Sequence, residues 1–315
     1  MNRIVIARKS GPTSWLRLFC AVSLLVVAIP AQAQNRGVYP LGMSAVNSGI
    51  TPEPGFTYSN QLLFYSRDEA KDDNGNTIAT GSNSVIMDMN TVTWVSNETF
   101  PGGTRYSASA TFPFAKNDLT ADIHGNISGG AGFADSYYLP VILSWSWERV
   151  AIKAMYGFLA PTGRFDANAN DNVGSGYWTH TLSSGQTFYL TSNKRLSFSA
   201  FAMYEFHTTQ AGTGIHPGDT FDLDYSLMGT ILNTEGVRLQ IGVAGYEARQ
   251  TTAKTGPGIT RAISNERYAV NAIGCAASVG FPKHKASVTL KFFNEFADRS
   301  TFEGYSFQVA GTIHF

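Results

Sequence analysis

The closing residues of the chain constrain its fold most. Tyr305, Phe307, Val309, Gly311, Ile313 and Phe315 alternate with Ser306, Gln308, Ala310, Thr312 and His314 to the carboxyl end. Successive side chains of an extended strand point to opposite faces, so this period of two marks a strand with one apolar and one polar face. The same period returns upstream. Tyr106, Ala108, Ala110, Phe112 and Phe114 oppose Arg105, Ser107, Ser109 and Thr111, and Leu196, Phe198, Ala200, Tyr204 and Phe206 oppose Ser197, Ser199 and Glu205. Phe221, Leu223, Tyr225 and Leu227 oppose Asp222, Asp224 and Ser226, and Val237, Leu239, Ile241 and Val243 face away from Arg238 and Gln240. No stretch beyond the amino-terminal region approaches the roughly 18 uninterrupted apolar residues of a membrane-crossing helix.

A soluble sandwich would also alternate, and connection length separates the two. The pattern predicts strands near 55–66, 83–95, 104–115, 136–148, 150–160, 176–191, 195–207, 220–232, 236–249, 266–281, 285–297 and 303–315. Long polar or glycine-rich connections then fall at 67–82, 116–135, 161–175, 208–219 and 250–265, each after an odd-numbered strand. The connection at 96–103 is long for a turn and that at 298–302 is short for an external loop. Outer-membrane barrels pair short periplasmic turns with longer extracellular loops. The expected fold is therefore all-β, a transmembrane antiparallel β-barrel of about 12 strands over residues 54–315, with both termini periplasmic. Phe56, Tyr106, Phe114, Trp145, Trp147, Tyr177, Trp178, Phe206, Tyr305 and Phe315 lie near strand ends, where interfacial aromatic girdles sit. A terminal Phe315 after an alternating strand is the kind of signal that the barrel-assembly machinery reads.

The beginning of the chain agrees with export. Arg3, Arg8, Lys9 and Arg17 precede an apolar stretch from Leu18 to Pro30, and Ala31-Gln32-Ala33 gives a small-x-small cleavage pattern, so residues 1–33 read as a cleaved signal peptide. Cys20 would leave with it. Cys275 would remain alone, without an intrachain disulfide. Residues 34–53 are polar and contain glycine; they read as a periplasmic or lumen-plug segment, and the sequence leaves both open. The expected location is the bacterial outer membrane. Lys+Arg and Asp+Glu balance at 23 each, which leaves no field for nucleic acid, and charged residues are only 15% against roughly 25% in soluble domains.

With the apolar face toward lipid, alternation points Asp88, Arg105, Lys153, Glu205, Asp222, Asp224, Arg238, Lys291 and Glu295 into the lumen. Charges in a confined lumen are costly to desolvate, so each is expected to pair with another or with the amino-terminal segment, while the set forms a constriction selecting solutes. No metal or cofactor is expected. Asp72-Asp73-Asn74-Gly75-Asn76 and Asp166-Ala167-Asn168-Ala169-Asn170-Asp171-Asn172 space oxygen ligands as calcium loops do, but the second has Asp171 where an EF-hand needs glycine and Tyr177 where it needs glutamate. An outer-membrane lipid hydrolase would need a paired serine and histidine; His180, His207, His216, His284 and His314 are scattered, and no Gly-x-Ser-x-Gly elbow occurs.

The order of short motifs resembles the meta-pathway phenol-degradation transporter family. The motifs are Asn47 to Gly55 with Pro52 and Pro54, Asp135 to Trp145 with Pro140, Ala160-Pro161-Thr162-Gly163-Arg164-Phe165-Asp166 and Gly174-Ser175-Gly176-Tyr177-Trp178. Phe221-Asp222-Leu223-Asp224-Tyr225, Gly242-Val243-Ala244-Gly245-Tyr246 and Asn294-Glu295-Phe296 through Glu303-Gly304 follow. The resemblance implies an outer-membrane barrel carrying aromatic or other hydrophobic compounds inward, and it supplies no catalytic residues. The expected function is diffusive uptake of small solutes by a monomeric channel seated in outer-membrane lipid. The alternatives are a plugged structural or ligand-binding barrel, and a lipid hydrolase.

Overall fold

The computed structural model describes residues 37–315; the expected signal peptide over residues 1–33, with Cys20 and the expected cleavage site before Gln34, lies outside the described residues. The strands are β1 (Gly55–Lys71), β2 (Thr77–Phe100), β3 (Thr104–Ala121), β4 (Gly125–Phe133), β5 (Ser136–Ser146), β6 (Val150–Ala160) and β7 (Thr179–Tyr189). They continue as β8 (Leu196–His207), β9 (Thr220–Asn233), β10 (Arg238–Gln250), β11 (Ala269–Phe281), β12 (Ala286–Glu295) and β13 (Phe302–His314).

From β5 to β13 each strand pairs antiparallel with the next, β13 pairs back onto β1 with Phe64 opposite Phe307, and the β2–β3 pair completes the ring. β4 and β5 lie end to end along β3: β3 pairs with β4 from Phe114 to Ala121 and with β5 from Arg105 to Thr111. The molecule is thus a closed antiparallel barrel with 12 strands around the ring. Closure leaves no open edge, which is what a sheet needs in order to cross hydrocarbon.

The strands run further than alternation predicts at one end of the barrel. β1 reaches Lys71, β2 begins at Thr77, and β4 occupies part of the stretch read as the loop 116–135. Beyond the lipid both faces of a strand meet water, so the ladder continues while the apolar–polar contrast that reveals it disappears. The β1–β2 connection shrinks to a turn in which Gly75 takes φ 86 and Asp72 Oδ1 accepts from Asn76 N and Asn74 N. Hydrogen bonds from Asn76, then Asn74 and Gly75, hold the Asp72 carboxyl below its ordinary range. The second acidic run is also built of turns, with Asp166 Oδ1 accepting from Asn168 N and Asn172 Oδ1 from Asp166 N.

The outer surface carries the apolar parity. Ile241, Val243, Ile273, Leu290 and Phe307 are exposed around the ring, as a lipid-facing band requires. Phe56, Phe114, Trp147, Trp178, Phe206, Tyr305 and Phe315 are exposed as well, whereas Tyr177 is buried edge-on against the His207 ring at 5.2 Å and is not part of a girdle. The inner surface mixes polar residues with a core containing Phe201, Met203, Met228, Tyr246, Val270 and Phe293. Eight strands enclose a space that side chains alone fill, and 16–18 leave an aqueous channel. A ring of intermediate size has room for an inner segment.

Candidate functional site

Residues 37–51 run through that interior. Their backbone–backbone hydrogen bonds are short-range and internal: Met43 N to Pro40 O, Ala45 N to Gly42 O and Ile50 N to Asn47 O. A buried peptide group without a partner is costly, so the other N–H and C=O groups need side chains from the wall. Alternation along β8 and β9 supplies acceptors. Glu205 accepts from Val38 N at 2.9 Å and Tyr39 N at 2.7 Å, and Asp224 accepts from the Tyr39 hydroxyl at 2.6 Å, Gly42 N at 2.9 Å and Ser44 N at 3.0 Å. β6 and β12 supply donors. Lys291 Nζ donates to Gly42 O at 2.7 Å and Met43 O at 2.6 Å, and Lys153 Nζ to Ile50 O at 3.3 Å.

Apolar contacts complete the seat. The Tyr39 ring stacks on Phe201 at 5.2 Å, and Leu41 and Ala45 are buried within the inner core. Gly49 and Gly185 mark close approach of the segment to the wall: a Cβ on Gly49 would lie 2.0 Å from Ala151 O, and one on Gly185 2.3 Å from Ser48 O. Burial, and next the charge of Asp224, raise the Tyr39 hydroxyl well above the ordinary tyrosine range, so it remains a donor.

Five of the expected lumen residues, Lys153, Glu205, Asp222, Asp224 and Lys291, therefore gather around the amino-terminal segment. Glu295 is buried on the same inner surface, paired with Arg67 Nε at 3.3 Å and accepting from the Tyr246 hydroxyl at 3.0 Å. Arg105 and Arg238 have inward parity but sit near the turn ends of their strands. Arg105 donates to Ser96 O and Thr99 Oγ1, and Arg238 Nε is buried without a partner among the described residues.

Asp88 corrects the expectation. It shares parity with the exposed Ile86, Val92 and Trp94, and so points outward, receiving a hydrogen bond from Asn60 Nδ2 at 2.5 Å. The inward residues of β2 are instead Val85, Met87 and Met89, packed with Leu63, Tyr65 and Met43. Where the segment presents an apolar side to the wall, the wall is apolar on its inner face too, and the rule that apolar means lipid-facing inverts.

The list of charges also omitted residues that hold the segment. Gln308 Nε2 and the Tyr65 hydroxyl both donate to Leu41 O, at 2.8 and 3.2 Å, Ser226 Oγ donates to Ala45 O at 2.6 Å, and Tyr268 accepts from Gly37 N at 2.7 Å. Gln308 and Ser226 lie on the polar parity of their strands and were visible there; Tyr65 and Tyr268 carry no such signal, because an inward tyrosine reads like an outward one.

The closed ring, its exposed apolar belt and the seated inner segment define a transmembrane β-barrel of the outer-membrane type. A family model described as "Putative MetA-pathway of phenol degradation" matches residues 67–310, and the chain belongs to that family. No curated protein sequence matches it. Among solved structures, an outer membrane channel from Pseudomonas putida F1 is 12% identical, with 86% of this chain and 98% of that one covered and a TM-score of 0.70. The beta domain of the Bordetella autotransporter BrkA is 10% identical, covering 84% of this chain and 100% of its own, with a TM-score of 0.55. At these identities the likeness is one of fold.

Proposed function

We propose that this barrel is an outer-membrane channel admitting small aromatic or other hydrophobic compounds by diffusion, with residues 37–51 as its gate. The observation that carries the gate is the manner of attachment: the segment's main chain adds no strand to the wall and is held by side chains, so it can leave without opening the ring. The family description supports an aromatic solute, and the Pseudomonas putida relative is itself a channel. In this reading the channel is a monomer, since one chain closes the ring. It catalyses no reaction, and the barrel-assembly machinery inserts it by reading the last strand and Phe315.

The test is planar-bilayer recording of the native protein and of a variant lacking residues 37–51, together with liposome swelling in phenol. A gate predicts a sharp rise in conductance on deletion. Unchanged conductance would remove the gating role, and neither conductance nor swelling in either protein would sink the channel and favour a filled, structural barrel, a reading to which the density of lumen hydrogen bonds lends support.

A further inference from the structure

Between the inner segment and the barrel wall lies a cavity of about 160 Å³. Most of its lining is apolar or aromatic, with Leu63, Val85 and Met87 from β1 and β2 and the rings of Tyr65 and Tyr268. Arg67 lines it as well, and so does Asp222. This residue is 1% exposed, and its Oδ2 has no hydrogen-bond partner among the described residues. The other buried lumen carboxylates are all engaged: Glu205 and Asp224 by the segment, Glu295 by Arg67 and Tyr246. The Arg67 guanidinium lies over the Tyr65 ring at 4.0 Å while its Nε faces Glu295.

We propose that this cavity is a binding site for a single aromatic ring bearing a hydroxyl group, with the hydroxyl donating to Asp222 Oδ2; the assignment deepens the channel reading and rests on it. Size and lining select the ring. An apolar cavity of about 150 Å³ accommodates benzene, and tyrosine rings with a methionine thioether favour a flat π-system. Asp222 selects the substituent. A buried acceptor without a donor is costly, and a ligand hydroxyl removes that cost where a bare hydrocarbon leaves it. A carboxylate on the ring would have to shed its water inside a largely apolar cavity whose one cation, Arg67, already pairs with Glu295, and is rejected. Because Tyr39, Leu41 and neighbouring residues of the segment form one wall, the site exists only while the segment is seated.

The experiment is ¹⁹F NMR titration of the folded protein in detergent with 4-fluorophenol, fluorobenzene and 4-fluorobenzoate. A hydrogen bond that satisfies a buried oxygen otherwise without a partner predicts that 4-fluorophenol binds about 5- to 150-fold more tightly than fluorobenzene, and that 4-fluorobenzoate does not bind. Asp222→Leu should erase the preference for the phenol, Asp222→Asn, which keeps an acceptor oxygen, should retain part of it, and Val85→Phe, which fills the cavity, should abolish binding of both neutral probes. Equal binding of phenol and hydrocarbon to the native protein, a preference that survives Asp222→Leu, or binding indifferent to Val85→Phe would each overturn the proposal. Binding requires no open pore, so binding without conductance sinks the channel and leaves the site, whereas conductance without binding sinks the site alone.

Discussion

Replacing Asp224 with alanine probes the gate most directly, because one carboxylate collects three donors from the segment: the Tyr39 hydroxyl, Gly42 N and Ser44 N. Hydrogen bonds to charged groups contribute about 1.5–3 kcal/mol each. Three at the lower end amount to about 4.5 kcal/mol, which shifts the ratio of displaced to seated segment about a thousandfold. Tyr39→Phe removes one of the three and keeps the ring stacked on Phe201, so its shift should be about tenfold. Both variants leave the Glu205 and Lys291 anchors in place. Single-channel recording gives open occupancy for the three proteins, and circular dichroism reports whether the barrel has folded. The expected order is native, then Tyr39→Phe, then Asp224→Ala. Folded variants with native occupancy, or a larger effect for Tyr39→Phe than for Asp224→Ala, would refute the hydrogen-bonded gate.

Gly185→Val should also open the channel, since a Cβ at this inward position meets Ser48 O at 2.3 Å while a β-branched residue suits the strand; conductance below or equal to native in a folded variant would argue otherwise. For pH the sign follows from Tyr39: its hydroxyl is raised when seated but ionises near the ordinary 10.0 when displaced, so seating is fully retained below that pH and weakens above it. Native open occupancy should therefore climb above pH 10.0, and Tyr39→Phe should lack that component. Cys275, exposed and on the parity of Ile273, should react in vesicles with a lipid-soluble thiol reagent and resist a charged impermeant one; the reverse order would misplace β11. Asp88→Leu should stabilise the barrel in denaturant titrations by about 1 kcal/mol, because a carboxylate on the lipid-facing surface is unfavourable and Asn60 keeps Asn90 Oδ1 at 3.3 Å; a loss of stability would show that Asp88 does not face lipid.

What the sequence discloses about this fold follows from what the bilayer imposes. Lipid demands an apolar outer parity wherever a strand crosses it, so the crossing portions of β8, β9, β12 and β13 are legible residue by residue. Their extensions are not: the far ends of β1–β3 and most of β4 continue past the lipid, where the apolar–polar contrast fades, and their glycines and polar residues look like loop. β2 fails for another reason. Val85, Met87 and Met89 pack inward against Leu63 and Tyr65 while Ile86, Val92 and Trp94 are exposed outward, so apolar residues occupy both faces and parity does not tell on which side Asp88 lies.

The lumen charges were legible as a set, but their partners were not. Of the nine residues assigned to the lumen, none forms an ion pair with another of the nine among the described residues. Glu205 on β8 and Asp224 on β9 take peptide N–H groups and the lysines on β6 and β12 take peptide carbonyls, so for these four most of the compensation comes from main-chain dipoles of a segment whose side chains, in Gly37, Gly42, Ala45 and Gly49, carry almost no chemical signal. Sequence patterns record side chains, and here the decisive partner is backbone. That arrangement also bears on function. Ion pairs within the wall would rigidify the barrel and be indifferent to the segment, whereas charges aimed at its peptide groups make their stabilisation conditional on its presence. The same carboxylates that hold the segment would, once it leaves, line an open lumen with unpaired acceptors.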